Sequence, residues 1–89
     1  MSSIRLAFSS DGARPLSSLR EGTHATVVDV RASTGGQSDR LAALGVTPGA
    51  LVTVMQTFPG VVFLCDQTEL AVERGVASAI FVRPLEKLS

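Results

Sequence analysis

Apolar and polar residues alternate with a period of two over most of this chain, in short runs broken by glycine, proline or serine. Successive side chains of a strand point to opposite faces, so this period predicts half-buried β-structure. Residues 23–30 read as the first strand, with Thr26, Val28 and Val30 on one face; Asp29 on the other predicts that Val28 and Val30 point inward. In the second strand Leu51, Thr53 and Met55 alternate with Val52, Val54 and Gln56. Phe58-Pro59-Gly60 predicts a turn, residues 61–65 a third strand and Asp66-Gln67-Thr68 a tight connection. Glu69-Leu70-Ala71-Val72-Glu73 is the clearest alternation, with Leu70 and Val72 inward and both glutamates toward water. Residues 75–79 form a short turn or single helical loop, and Ile80-Phe81-Val82-Arg83 is the last strand before Pro84 stops it.

The period changes in Arg40-Leu41-Ala42-Ala43-Leu44-Gly45-Val46-Thr47-Pro48-Gly49. Leu41 and Leu44 share one helical face, and Gly45 is the left-handed residue that commonly ends a helix. Pro48-Gly49 suits the centre of a type II turn, because proline presets φ and the following glycine accepts φ > 0. Ser38 or Asp39 is expected to cap this short helix. Isolated helices shorter than ~12 residues are marginal in water, so docking of Leu41 and Leu44 on the sheet must hold it. Residues 32–38 are a serine- and glycine-rich loop, while Leu16 and Leu19 belong to one turn ahead of the first strand. Residues 1–14 are an N-terminal extension in which Ile4, Leu6 and Phe8 alternate; an edge strand and a flexible tail both fit. Residues 15–89 are read as the domain, of mainly β class. About five short strands with one inserted α-helix fit a small, partly open barrel.

A length of 89 residues allows a single core. Eight lysines and arginines balance eight aspartates and glutamates, so no global field draws the chain to nucleic acid or anionic lipid. The longest apolar run, residues 61–65, is far below the ~20 residues that cross a bilayer, and no basic-then-apolar signal opens the chain. A soluble cytoplasmic protein is expected. Cys65 is the single cysteine, which excludes an internal disulfide, and in an apolar strand it reads as a small buried hydrophobe. His24 has no close cluster of further ligands, so no metal site and no cofactor is expected. Asp66 and Glu69 read as a solvated hairpin rim. No serine carries a nucleophile motif, and Gly35-Gly36-Gln37-Ser38 lacks the Gly-Lys-Ser/Thr of a phosphate loop, so no enzyme is expected. Four phenylalanines, no tyrosine or tryptophan, and arginines scattered from Arg5 to Arg83 give no stacking surface for nucleic acid.

Surface shape is what remains for function. Helix and turn 41–49 should project from the barrel, with Phe58-Pro59 as a second apolar tip. Leu41, Ala43, Leu44, Val46, Pro48 and Phe58 are the candidate partner contacts. Of these Leu41 and Leu44 also serve to dock the helix, whereas Ala43, Val46, Pro48 and Phe58 have less reason to be buried. An open edge strand would in addition accept an extended partner segment.

Leu16-Ser17-Ser18-Leu19-Arg20-Glu21-Gly22, Val27-Val28-Asp29-Val30, Arg40-Leu41 with Leu44-Gly45-Val46-Thr47-Pro48-Gly49, and Ile80-Phe81-Val82 together resemble the FeoA family. The family usually has an extended proline-rich loop with Gly-Asp-Pro after the second long strand. Only Phe58-Pro59-Gly60 stands there, so a contact made by the longer loop is not carried over. The resemblance implies an SH3-like barrel and a non-enzymatic accessory role in bacterial ferrous iron uptake. It implies as partner the cytoplasmic region of a FeoB-type transporter, modulated by differential binding. The inner membrane would be reached only through that partner, and weak self-association stays open. The same barrel ends some iron-dependent repressors, which gives the alternative of a regulatory domain acting with a metal-dependent transcription repressor. The lack of a helix-turn-helix in these residues counts against it.

Overall fold

The computed structural model describes residues 12–31 and 36–85; the alternation at Ile4 to Phe8 lies outside them. The chain runs through β1 (Arg14–Pro15), a 3₁₀ turn at Leu16–Ser18, β2 (His24–Val30), α1 (Gln37–Ala43), β3 (Leu51–Gln56), β4 (Val61–Cys65), β5 (Thr68–Val72), α2 (Arg74–Ala77) and β6 (Ile80–Pro84). All six strands join one antiparallel sheet in the order β1-β6-β2-β3-β4-β5. The barrel is SH3-like and not closed, which among the described residues leaves β1 and β5 as its edges. α2 packs on the 3₁₀ turn across the gap, where Ser17 Oγ and Ser78 Oγ share a 2.8 Å hydrogen bond. Among the described residues the short β1 brings the strand count to six, where about five were expected.

Leu16, Val27, Val52, Val54, Phe63 and Ile80 are among the side chains that fill the core. Val52 and Val54 of β3 and Val61, Phe63 and Cys65 of β4 alternate inward as a period of two requires. In β2 the observed face is opposite to the expected one: Ala25 and Val27 are buried, while Thr26 and Val28 are only partly covered. The reason is a register shift against β6 between Val27 and Asp29. A bulge changes which face the following residues present, so Val30 packs against the core although Val28 does not. Asp29, which prompted the other assignment, holds the chain locally instead: Oδ1 accepts the Val30 N–H at 2.9 Å and Oδ2 pairs with Arg31 Nε at 3.0 Å.

α1 starts at Gly36, with φ +81° and no side-chain cap. Ser38 and Asp39 lie within the helix, and Asp39 acts there only as an acidic residue in the first turn, next to the positive end of the dipole. The helix stop is as expected, since Gly45 has φ +96°. The Gly45 N–H donates to Ala42 O at 3.0 Å and the Val46 N–H to Leu41 O at 2.9 Å. That paired pattern is the Schellman motif, which brings the residue after the glycine onto the helix's last turn. The Thr47–Ala50 turn closes with a 2.9 Å hydrogen bond, and reciprocal 2.8 Å bonds join Gly49 to Val27 and Val27 to Ala50. The segment is therefore fixed to β2 rather than projecting freely.

Candidate functional site

The Schellman geometry sorts the expected partner contacts. Val46 is 1% exposed and Leu41 5% exposed, both within the core cluster, so Val46 is closed to a partner and Leu41 presents only the small part of its surface that lines the groove between α1 and β5. Their burial is the hydrophobic contact that accompanies this helix stop, and it corrects the reading of Val46 as a surface residue, while Leu41 serves chiefly to dock the helix. Leu44 is 46% exposed; the helix docks through Leu41 without it. Ala43 and Pro48 are exposed, and Phe58 is 76% exposed at the β3–β4 turn.

A groove of ≈ 230 Å³ is lined by Arg40, Leu41 and Leu44 from α1 and its stop, by Ala71, Val72 and Glu73 from the end of β5, and by Val76 of α2. Ala71 and Val72 are successive residues whose side chains point to opposite faces, yet both line the groove. It therefore lies at the C-terminal end of β5, the strand that ends the sheet among the described residues. Asp66 N–H donates to Leu51 O at 3.0 Å, so the even-numbered residues of β4 face β3 and its odd-numbered residues bond toward β5. Cys65, Phe63 and Val61 pair with Thr68, Leu70 and Val72, which leaves the backbone groups of Glu69 and Ala71 directed outward.

The Phe58 turn is tied to this region. Arg74 Nη1 donates to Thr57 O, its Nη2 reaches Ser17 O at 3.4 Å, and Gly60 lies against the Val72 carbonyl, where an added Cβ would stand 3.0 Å from the oxygen. Arg74 thus knits α2, the β3–β4 turn and the 3₁₀ turn. Arg31 pairs with Asp29 and lies 4.4 Å from the Phe81 ring centre. These two arginines have structural duties rather than forming a nucleic-acid track.

Chemistry on side chains is sparse. His24 Nδ1 lies 2.8 Å from Thr53 Oγ1, its neighbour across the β2–β3 pair. Cys65 Sγ donates to Gly45 O at 3.4 Å and joins β4 to the helix stop. Burial, with the Asp66 carboxylate beside it, raises the Cys65 thiol pKa above its usual 9.0. Among the described residues no three His, Cys, Asp or Glu side chains gather in a form that could hold a metal ion. No described helix is long and apolar enough to cross a membrane.

Leu51, Met55 and Leu85 were not expected as surface features, yet each is about half exposed. The signal for the first two is bulky apolar residues on both faces of β3. The edge groove was missed in its Ala71, Val72 and Val76 half, because sequence alternation does not say which strand ends the sheet.

The architecture defines a class: a small SH3-like barrel with an inserted helix and an apolar groove at its open edge. A family model of the FeoA domain matches residues 14–84, and the chain belongs to the FeoA family. It is similar to a crystal structure of an iron uptake regulatory protein (FeoA), with 27% identity and TM-score 0.73, covering 82% of this chain and 97% of that one. It is similar also to the FeoA protein from Chlorobium tepidum, with 31% identity and TM-score 0.74, covering 81% and 70%. T. acidophilum IdeR shares the fold at 22% identity and TM-score 0.74, where the match covers 81% of this chain and 34% of that one. No curated protein matches the sequence.

Proposed function

We propose that this chain is a non-enzymatic, cytoplasmic accessory protein of bacterial ferrous iron uptake that binds the cytoplasmic region of a FeoB-type transporter. By binding one conformation better than another, it modulates the transporter's assembly or nucleotide-dependent activity. The observation that supports a binding module is the groove between α1 and β5, where Leu44 is left 46% exposed although the helix is already anchored by Leu41. An apolar side chain that the fold does not need inside is a contact residue in waiting. Ala43, Pro48 and Phe58 are the further contacts in this reading. In this reading iron is cargo of the transporter, and the described residues offer no cluster of three His, Cys, Asp or Glu to hold it.

The test is a pull-down of the purified chain with the cytoplasmic domain of the FeoB from the same genome, with and without guanine nucleotide. Saturable capture is expected, and Leu44→Glu should abolish it while shifting the thermal midpoint by no more than a few degrees. Capture unaffected by Leu44→Glu would remove the groove from the contact. No capture in any nucleotide state by folded protein would overturn the transporter reading. A regulatory domain acting with a metal-dependent repressor is the second reading, supported by the barrel in common with IdeR. It predicts capture by a repressor's DNA-binding chain instead.

A further inference from the structure

Three features meet at β5. The β4–β5 register directs the backbone groups of Glu69 and Ala71 outward, and among the described residues no strand pairs with them. Glu69, Ala71 and Glu73 are all exposed, and the period of two places them on one face. Leu70 and Val72 lie on the other face, partly buried against the core, with Leu44 across the groove from Val72. An exposed sheet edge next to an apolar groove is the geometry that takes up an extended segment as an additional strand.

Resting on the partner-binding reading above, we propose that the occupant is an extended partner segment that pairs with Glu69 to Glu73 and carries the pattern basic, apolar, any, apolar, basic. Each position follows from the edge. The central residue stands opposite Ala71 and exchanges both backbone hydrogen bonds with it, because Ala71 directs its N–H and C=O outward. The flanking apolar residues stand opposite Leu70 and Val72; the one opposite Val72 enters the groove toward Leu44 and Val76, and the one opposite Leu70 extends the apolar face of the strand. The outer basic residues stand opposite the Glu69 and Glu73 carboxylates, where opposite charges across strands attract and like charges repel. Arg40 and Gln37 are the polar groups that face the segment from α1. Glu73 is the carboxylate in the groove's lining, and Glu69 adds a second on the exposed face of the strand, which leaves the strand side acidic. The Glu73 carbonyl already accepts the Ala77 N–H at 3.0 Å, which ends the ladder there and limits the docked segment to about five residues.

The experiment uses the full chain and a labelled, end-blocked peptide Lys-Val-Thr-Val-Lys, read by fluorescence anisotropy. Saturable binding is expected. Charge reversal by Glu69→Lys with Glu73→Lys should weaken it about tenfold and favour the peptide with glutamates at its ends. Ala71→Pro removes only an outward N–H, a substitution edge strands accept, and should weaken binding at least about tenfold. N-methylation of the central threonine removes the reciprocal bond without altering the protein and should have the same effect. Unchanged affinity for the N-methylated peptide, or in the charge-reversed variant, overturns strand addition. So does no peptide binding by a chain that still captures the FeoB domain, an outcome that leaves the transporter reading standing. Peptide binding that appears only after deletion of residues 1–11 would assign the edge to the chain's own Ile4 to Phe8 segment and overturn the partner assignment. Peptide binding without FeoB capture would confirm the edge and overturn the transporter reading.

Discussion

Val46 and Leu44 stand on either side of Gly45, one in the core and one at the surface. A charge placed at each therefore has a different cost. Val46→Glu buries a carboxylate within the hydrophobic core cluster and should lower unfolding free energy by on the order of 3–4 kcal/mol. Urea denaturation checks this, and a loss as small as that of Leu44→Glu would mean that the helix stop does not seal the core. Cys65 gives a pH-dependent prediction at the same scale. Its thiol pKa is raised in the fold, first by burial and then by Asp66. The protonated thiol thus binds the folded state better than the thiolate does. Its contribution is fully present below the unfolded value near 9.0 and is lost as pH rises toward and through the higher folded value. Between pH 7 and 8 the wild type and Cys65→Ala should show parallel stability. Above pH 9 the wild type should fall more steeply, and parallel curves there would show that the thiol is not desolvated.

At the scale of elements, α1 is too short to stand alone and is held by Leu41, Val46 and the hydrogen bonds of its C-terminal stop. Gly45→Ala tests that stop in isolation, because no atom lies within 4 Å of an added Cβ while φ is +96°. The loss should be conformational, about 1–2 kcal/mol, with the denaturant slope unchanged. A much larger loss would point to a steric clash instead. This glycine and the Pro48-Gly49 turn were legible in the sequence because each acts through its own φ. The strands β3 to β6 were legible because alternation is read directly from side chains. The face of β2 was not, since Asp29 invites an outward assignment and the bulge that decides the matter arises from pairing with β6, residues distant in sequence. Nor was the helix start: serine and aspartate at positions 38 and 39 offer capping chemistry, but the backbone turns at Gly36. Val46 illustrates the same limit at the site. Its neighbours Gly45, Thr47 and Pro48 look like surface, and only the 2.9 Å bond to Leu41 O folds it inward.

For the whole molecule, the consequence of an unclosed sheet is that β5 could pair with the same strand of a second copy. An antiparallel, two-fold pairing centred on Ala71 would set Glu69 of each copy against Glu73 of the other, twice. Like charges directly opposite are destabilising, and exposed charge is how sheet edges resist self-association. The chain's zero net charge gives no overall repulsion to do this, so the task falls to these two carboxylates. The wild type should sediment as a monomer at neutral pH. Glu69→Lys turns both cross-pairs attractive and should produce a concentration-dependent dimer that added salt weakens, because exposed pairs are screened. Glu69→Lys combined with Glu73→Lys restores like charges at both positions and should return the monomer. The double variant matters most, since a dimer that persists in it would have been formed through another surface, such as the exposed Leu51 and Met55 face of β3.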